Sequence, residues 1–350
     1  MVRRFDRVTG VVRDVAPDQT RQALLLWRQI AALALVVMIA TPLMLAFSPA
    51  ARAHCEVGNR IFTATITFDD PCVQDELALP TIAAFKNGDN PSAEELAISG
   101  DYSKTITENL GVSVGERWIH LKAPGARGQE GFANLGTGFK YQFISDAEGE
   151  LAMSAALDIL WGGTGSHAVG AEPFTTLTPT WLAAKGFGFL PESMKFLRPF
   201  GVTTQLGYLF PTESSTSAFD ENSGSSTSTR NPQFLIWGGS LQYSMPYLKS
   251  RVQDLGLPDV LNHLVPLVEL NLRTQTSNFD GGERTTGTIN PGMVYIGGKS
   301  QLSIEAIIPV NRASGDGVGV IAQLDVFLDD AFPHSPLFRP LFSTASSKPD

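Results

Sequence analysis

The chain has 350 residues, with 26 Lys and Arg against 35 Asp and Glu, a formal net charge of −9 and only 17% charged residues. An acidic chain is a poor partner for nucleic acid, and 43% hydrophobic residues exclude a disordered acidic polymer. Two cysteines, Cys55 and Cys72, exclude a disulfide-rich scaffold and a four-cysteine zinc site.

Residues 1–53 have the order of a secretory signal peptide. Several arginines are followed by an apolar run from Ile30 to Phe47 and then by Ala51-Arg52-Ala53. Small residues at the −3 and −1 positions suit a signal peptidase, so the sequence predicts cleavage after Ala53 and export. The alternative is an uncleaved transmembrane anchor, because the apolar run is nearly as long as the roughly 20 residues that span a bilayer.

The next stretch, 54–99, is predicted to be a periplasmic N-terminal extension or a plug-like segment. Its part 69–99 shows no strand alternation, whereas 61–68 has the pattern of a further strand. In an oxidising compartment Cys55 and Cys72 are candidates for a disulfide that closes a small loop, and two free thiols are the alternative.

Residues 100–328 alternate apolar and polar side chains with a period of two, which places each set on one face of a β-strand. In 151–161, Leu151 and Leu157 fall on one face and Ser154 on the other. Ten strands are predicted, at 110–121, 134–145, 150–161, 173–186, 198–210, 231–245, 262–275, 286–297, 300–310 and 317–328, and segment 100–107 is a candidate for another.

The predicted fold is an all-β, antiparallel, up-and-down transmembrane β-barrel of about 12 strands, with ten as the alternative count. The strands are about 10–13 residues long, where soluble strands have five or six, and aromatic residues concentrate near their ends. A periplasmic β-sandwich is the alternative fold, because its strands also alternate.

The connectors between strands are alternately short and long, as expected for short periplasmic turns and longer external loops. Two connectors on the short side, 187–198 and 246–261, contain several apolar residues and are predicted to form short interfacial helices. Residues 329–350 are predicted to be a periplasmic C-terminal tail. The signal for the barrel-assembly machinery is therefore expected inside the chain, in the strand that ends at Phe327.

Eight polar side chains fall on the inward parity of their strands and are predicted to line the pore. A charge on the lipid-facing surface costs up to roughly 2–4 kcal/mol near the midplane, so these side chains are expected to face the lumen. The set is Lys140, Gln142, Asp158, Gln205, Glu269, Arg273, Glu305 and Asp325. Their neighbours Phe139, Leu272 and Ile304 are predicted to face lipid. In the alternative, the charges pair with each other in a closed lumen.

No catalytic residue, metal site or cofactor is predicted, and the chain is not expected to be an enzyme. The five histidines have neither HExxH nor HxxxH spacing, and Ser166 and His167 are sequence neighbours without an orienting group. The expected partners are outer-membrane lipid, the barrel-assembly machinery and a small solute that the sequence does not identify.

Three stretches, from Gly186 to Val202, from Gln301 to Asn311 and from Gly317 to Pro333, carry a resemblance to a known family. They resemble the transporter-like proteobacterial outer-membrane barrels named for the MetA pathway of phenol degradation. The resemblance implies a barrel that passes small molecules, including apolar or aromatic ones, and implies no residue-level site. The predicted function is a passive channel or transporter in the bacterial outer membrane. The alternative is a non-conducting structural or envelope-organising barrel with a blocked lumen.

Overall fold

The computed structural model describes residues 55–89, 91–220, 225–279 and 281–342, together with two short paired strands, β1 (Arg4–Phe5) and β2 (Val12–Arg13). The rest of the predicted signal peptide, its cleavage site after Ala53 and residues 343–350 of the predicted tail lie outside the described part of the chain.

Twelve long antiparallel strands form one closed ring. In the order of the ring they are β5 (Glu76–Lys86), β6 (Glu94–Thr107), β7 (Leu110–Lys122), β9 (Gly136–Asp146), β10 (Leu151–Leu160), β11 (Thr176–Gly186), β12 (Phe200–Pro211), β15 (Phe234–Tyr243), β16 (Leu264–Gln275), β17 (Thr285–Ile296), β18 (Ser300–Pro309) and β19 (Gly319–Phe327). The first strand, β5, pairs with both β6 and β19, where Ala83 lies opposite Ala97 and Ile321. This pairing closes the barrel and removes its free edges.

Shorter elements lie at the two ends of the barrel. The additional strands are β3 (Cys55–Val57) with β4 (Arg60–Phe62), β8 (Gln129–Phe132) beside β7, and the hairpin of β13 (Ser215–Asp220) and β14 (Ser225–Arg230). The short helices are His167–Val169, Glu192–Leu197, Met245–Tyr247, Leu248–Val252, Asp259–Asn262, Arg312–Ser314, Leu328–Ala331 and Pro336–Phe338. In the described ranges, no helix has both the length and the apolar character needed to cross a bilayer.

The two ends of the barrel differ in their connectors. One end, here called the turn end, carries the short connections after β6, β9 and β17 and receives the internal chain before β5. The opposite end, here called the loop end, carries the longer connections after β7, β10, β12 and β16. The helices Glu192–Leu197, Met245–Tyr247 and Asp259–Asn262 lie in the two longer connectors of the turn end.

The structure confirms the predicted fold class, with 12 strands instead of the alternative ten. All ten strands predicted over 110–328 are present, and each end lies within three residues of its predicted position. The two apolar connectors contain short helices, as predicted.

The predicted division between an extension at 54–99 and a barrel at 100–328 is wrong. β5 lies wholly inside the predicted extension and β6 begins at Glu94, so the barrel begins at Glu76. Conversely, 61–68 contributes no barrel strand, since only its first two residues belong to the short β4.

Strand β5 escaped prediction because its pairing is irregular. The register with β6 shifts between Ala78 and Thr81, on either side of Pro80, whose nitrogen has no hydrogen to donate to the ladder. A register shift moves the following side chains to the other face, so the two-residue period breaks in the middle of the strand.

The outer surface of the barrel is apolar. Phe139, Trp181, Leu206 and Val268 are each between 40% and 51% exposed on this surface. Such a belt is what a hydrocarbon environment requires of a membrane barrel.

Leu272, predicted to face lipid, is only 8% exposed. Its side chain lies close over Gly287, and Trp237 is its partner across β15. Leu272 is therefore largely covered by neighbouring residues, and Val268 on the same strand is the better example of an outward side chain.

Candidate functional site

The centre of the barrel is occupied by the part of the chain that precedes β5. Residues 55–75, here called the internal segment, form hydrogen bonds to side chains on facing walls of the ring. These wall residues are Lys140 on β9, Ser154 on β10, Gln242 on β15, Glu269 on β16 and Gln301 on β18. Because one segment bonds to opposite walls, it runs through the lumen.

The middle of the internal segment is held by Glu269. The carboxylate is fully buried and accepts hydrogen bonds from the backbone N–H groups of Ile66 at 3.1 Å and Thr67 at 3.0 Å. The Thr67 hydroxyl donates a third bond at 2.5 Å, and Asn271 donates its amide to the Thr67 carbonyl at 2.7 Å. A buried carboxylate with several donors is a strong anchor, because hydrogen bonds to charged groups are the stronger kind.

The opposite wall holds the returning part of the internal segment through Lys140. Its ammonium donates to Asp69 Oδ1 at 2.7 Å and to the carbonyls of Asp70 at 2.9 Å and Cys72 at 3.0 Å. All three ammonium hydrogens are therefore used by the internal segment. Lys140 and Glu269, both predicted to line the pore, bind this segment from opposite sides.

A buried ionic network, here called the latch, ties the internal segment to the turn end. Arg60 is 1% exposed and its Nε donates to Glu150 Oε2 at 2.8 Å, while the Tyr247 hydroxyl donates to Glu150 Oε1 at 2.8 Å. The guanidinium also donates to the carbonyls of Pro199 and Arg198 and lies 4.1 Å from the centre of the Tyr247 ring. Burial, and next the hydrogen bond with Glu150, raise the pKa of Tyr247, which keeps its hydroxyl a donor.

A disulfide joins Cys55 to Cys72 and closes the base of the internal segment. The two cysteines lie in an apolar cluster with Phe62 of β4 and the wall residues Ala152 and Ala184. The disulfide and this cluster hold the two arms of the internal segment together near the turn end.

Asp70 lies beside this disulfide and is 4% exposed. Its Oδ1 accepts a hydrogen bond from the Cys72 N–H at 2.7 Å. Burial raises the pKa of Asp70 to about 7, against the opposing effect of the Lys140 ammonium.

The other predicted pore residues occupy different levels of the lumen. Gln205 donates to Asn271 at 3.1 Å and so supports the bond to the internal segment. Asp158 lines a cavity beside the internal segment, whereas Glu305 and Asp325 are each 1% exposed within the wall. Arg273 is exposed and lies 5.1 Å over the ring of Phe234 toward the loop end, and Gln142 is half-buried opposite Ser154. That these eight residues line a conducting pore stays a prediction.

Three cavities follow one side of the internal segment from the loop end inward. Their volumes are about 550 Å³ at the loop end, about 340 Å³ above Ile66 and Thr67, and about 280 Å³ beside Lys140. The first two share Asn271 and Thr288, and the last two share Ile66 and Thr67. The internal segment therefore narrows the lumen and leaves space along one flank.

Sequence reasoning missed the latch. Arg60 and Glu150 are 90 residues apart; Arg60 stood in the predicted extension and Glu150 at the start of the predicted strand 150–161. A usable signal is the left-handed backbone of Glu150, at φ 46°, which shows that a large side chain is held in a turn where glycine is the usual residue. That signal exists in the structure and not in the sequence.

The fold is similar to several solved outer-membrane barrels at low sequence identity. The β domain of the Bordetella autotransporter BrkA is 13% identical, with 73% of this chain and 99% of that chain covered and a TM-score of 0.44. An outer membrane channel from Pseudomonas putida F1 is 11% identical, covering 73% and 95% with a TM-score of 0.44, and the KdgM porin is 11% identical, covering 71% and 98% with a TM-score of 0.39. No protein family and no curated protein matches the sequence of the chain. The resemblance to the MetA-pathway family stays a prediction.

Proposed function

We propose that the protein is a passive channel for small molecules in the bacterial outer membrane, narrowed by its internal segment. The observation that carries this proposal is the row of three cavities that follows one flank of the internal segment. Around it lies a closed barrel with a polar interior and an apolar outer belt, the arrangement expected of a pore in a bilayer.

The turn end is proposed to face the periplasm and the loop end the exterior. Short turns and both ends of the barrel chain lie at the periplasmic side of bacterial barrels, and here the chain enters β5 and leaves β19 at the turn end. The latch and the disulfide would then close the periplasmic side, where the compartment is oxidising. Export through a cleaved signal peptide and insertion by the barrel-assembly machinery belong to the same proposal.

The proposed solutes are small molecules, including apolar or aromatic ones, as the family resemblance implies. The middle cavity supports this class in part, because Ala83, Phe85, Ile307 and Ile321 line it; hydroxyl and amide groups and the basic side chains of Lys86 and Arg117 form the rest of its lining. Pockets with mostly apolar walls and a few polar groups are typical of small-molecule sites.

A second candidate is a non-conducting barrel with a blocked lumen. The latch favours it, because Arg60 and Glu150 are almost fully buried and seal the internal segment against the turn end. The two functions differ in one measurable property, which is passage of solute through the wild-type protein.

Liposome swelling separates the two candidates. Proteoliposomes of the full chain should swell in small neutral solutes and should exclude larger ones, since the internal segment restricts the lumen. A variant without residues 55–72 serves as the open reference. If this reference swells and the wild-type protein gives no swelling with any solute, the blocked barrel is correct and the channel is not.

A further inference from the structure

The innermost cavity, here called the acidic chamber, exists because the wall beside it is made of small residues. The inward positions of β7 and β9 that line it include Gly111, Ser113 and Gly138. A Cβ atom at Gly138 would lie 2.4 Å from Ser113 Oγ, so a larger residue there would displace the Ser113 hydroxyl. The chamber has a volume of about 280 Å³ and is bounded on its other side by the internal segment.

Carboxylates surround this space. Asp101 on β6 and Asp158 on β10 line the chamber from two flanking strands, and Asp69 of the internal segment and Glu76 at the start of β5 line it as well. The carboxylates of Asp101 and Asp158 lean over glycines of the wall instead of pairing across it. Lys140 also lines the chamber, but its ammonium is already bonded to the internal segment.

The chamber also has a buried acceptor that lacks a donor. Gln323, which lines it, is 8% exposed, and its Oε1 has no hydrogen-bond donor. An unsatisfied buried acceptor is costly, so Gln323 and the carboxylates together favour a ligand that brings positive charge and N–H donors.

The chamber does not have the geometry of a dehydrated metal site. In the described part of the chain, no three carboxylates bring oxygens within 4.8 Å of one another here, whereas hard cations need several converging oxygens. The apolar side chains that line it are Phe68 and Val73 of the internal segment. Carboxylates together with these apolar side chains suit a small organic ligand that carries an ammonium group on an apolar substituent.

We propose that the acidic chamber binds a small organic ammonium ion. This inference rests on the proposed channel function, because the bound ion is taken to be a solute that passes through the lumen. It is tested by binding without any flux, so its failure and the failure of the channel are separate results.

The test uses the purified full chain in detergent and isothermal titration calorimetry with three probes. 2-Phenylethylammonium is the ligand, 2-phenylethanol is its uncharged analogue of the same shape, and Ca²⁺ tests for a metal site. The variant Asp101→Asn with Asp158→Asn removes two chamber charges without changing side-chain size. Glu148→Gln with Glu283→Gln is the matched control, since it removes two exposed loop charges.

The wild type and the control should bind 2-phenylethylammonium with one saturable isotherm and should not bind 2-phenylethanol. The chamber variant should bind at least about tenfold more weakly, which corresponds to the loss of one charged hydrogen bond. If the chamber variant fails to fold, Ser113→Lys places a tethered ammonium in the chamber and should abolish binding. The proposal is overturned if the wild type shows no saturable binding of the amine or if the alcohol binds as well as the amine. It is also overturned if Ca²⁺ binds and the amine does not compete with it. Binding by the chamber variants that equals that of the wild type would overturn it as well.

Discussion

Replacing Arg60 by Met tests the latch and, with it, the retention of the internal segment in the lumen. The Arg60 side chain is 1% exposed and its partner Glu150 is 7% exposed, so solvent screens little of their interaction. Removing one partner of a buried ion pair costs about 3–5 kcal/mol, because the other charge is left buried without compensation. Glu150 still accepts hydrogen bonds from the Tyr247 hydroxyl and the Gly188 N–H in this variant, and these bonds reduce the loss.

The expected result is a shift of roughly 10²-fold or more toward a released internal segment, since each 1.4 kcal/mol is a factor of ten. The assay is chymotrypsin digestion of the folded barrel, with cleavage after Phe62 or Phe68 read by mass spectrometry. Arg60→Met should be cleaved much faster than the wild type. Adding Glu150→Gln to Arg60→Met should recover part of the protection, because no unpaired carboxylate then remains.

The matched control is Lys195→Met at the same end of the barrel. Lys195 pairs at 3.5 Å with Glu192, which is 74% exposed, and such surface pairs contribute at most about 1 kcal/mol. Its digestion should resemble that of the wild type. Equal protection of Arg60→Met, Lys195→Met and the wild type would show that the latch does not hold the internal segment.

Three further predictions concern the outer surface, the disulfide and pH. Val268→Arg should impair insertion, because an arginine on the lipid-facing surface costs about 2–4 kcal/mol near the midplane of the bilayer, whereas Val268→Ser should insert normally. Heat-modifiable migration in gels measures the inserted fraction. Equal insertion of both variants would show that this side chain does not face lipid. Cys55→Ser with Cys72→Ser should lower the free energy of releasing the internal segment by about 3 kcal/mol and so speed its cleavage by chymotrypsin. Unchanged cleavage would show that the disulfide does not hold the segment in the lumen. Burial raises the pKa of Asp70 from 3.8 to about 7, so the retained segment binds a proton that the released one lacks. Retention of the internal segment should therefore weaken as pH rises from about 4 to about 7 and stay constant above pH 7. Asp70→Asn should remove this pH dependence. A pH dependence that persists in Asp70→Asn would show that another group causes it.

The sequence was sufficient for the walls of the barrel. Alternation in segments such as 151–161 reflects a strand with one apolar and one polar face, and this pattern is local, so ten strands are recognised without tertiary information. The pattern fails at β5, where the shift around Pro80 changes the outward parity in the middle of the strand. Small residues such as Ala83 and Ala84 weaken the contrast further.

The contents of the lumen could be predicted only in part. The period of two gives the inward parity of Lys140 and Glu269, but it does not show that both bind the internal segment instead of facing an open pore. The partner of Glu269 is about 200 residues away in the chain, and that of Lys140 about 70, so no local pattern records either contact. The latch between Arg60 and Glu150 is hidden for the same reason.

Single-channel conductance in planar bilayers measures whether the lumen is open and whether the internal segment constricts it. The comparison is between the full chain and a variant without residues 55–72, which keeps every barrel strand. The wild type should give a small but measurable conductance. The shortened chain should give a conductance several times larger and steadier, because its lumen is free of the internal segment. Equal conductance of the two proteins would contradict the placement of this segment as the constriction, and no current through either would contradict the channel itself.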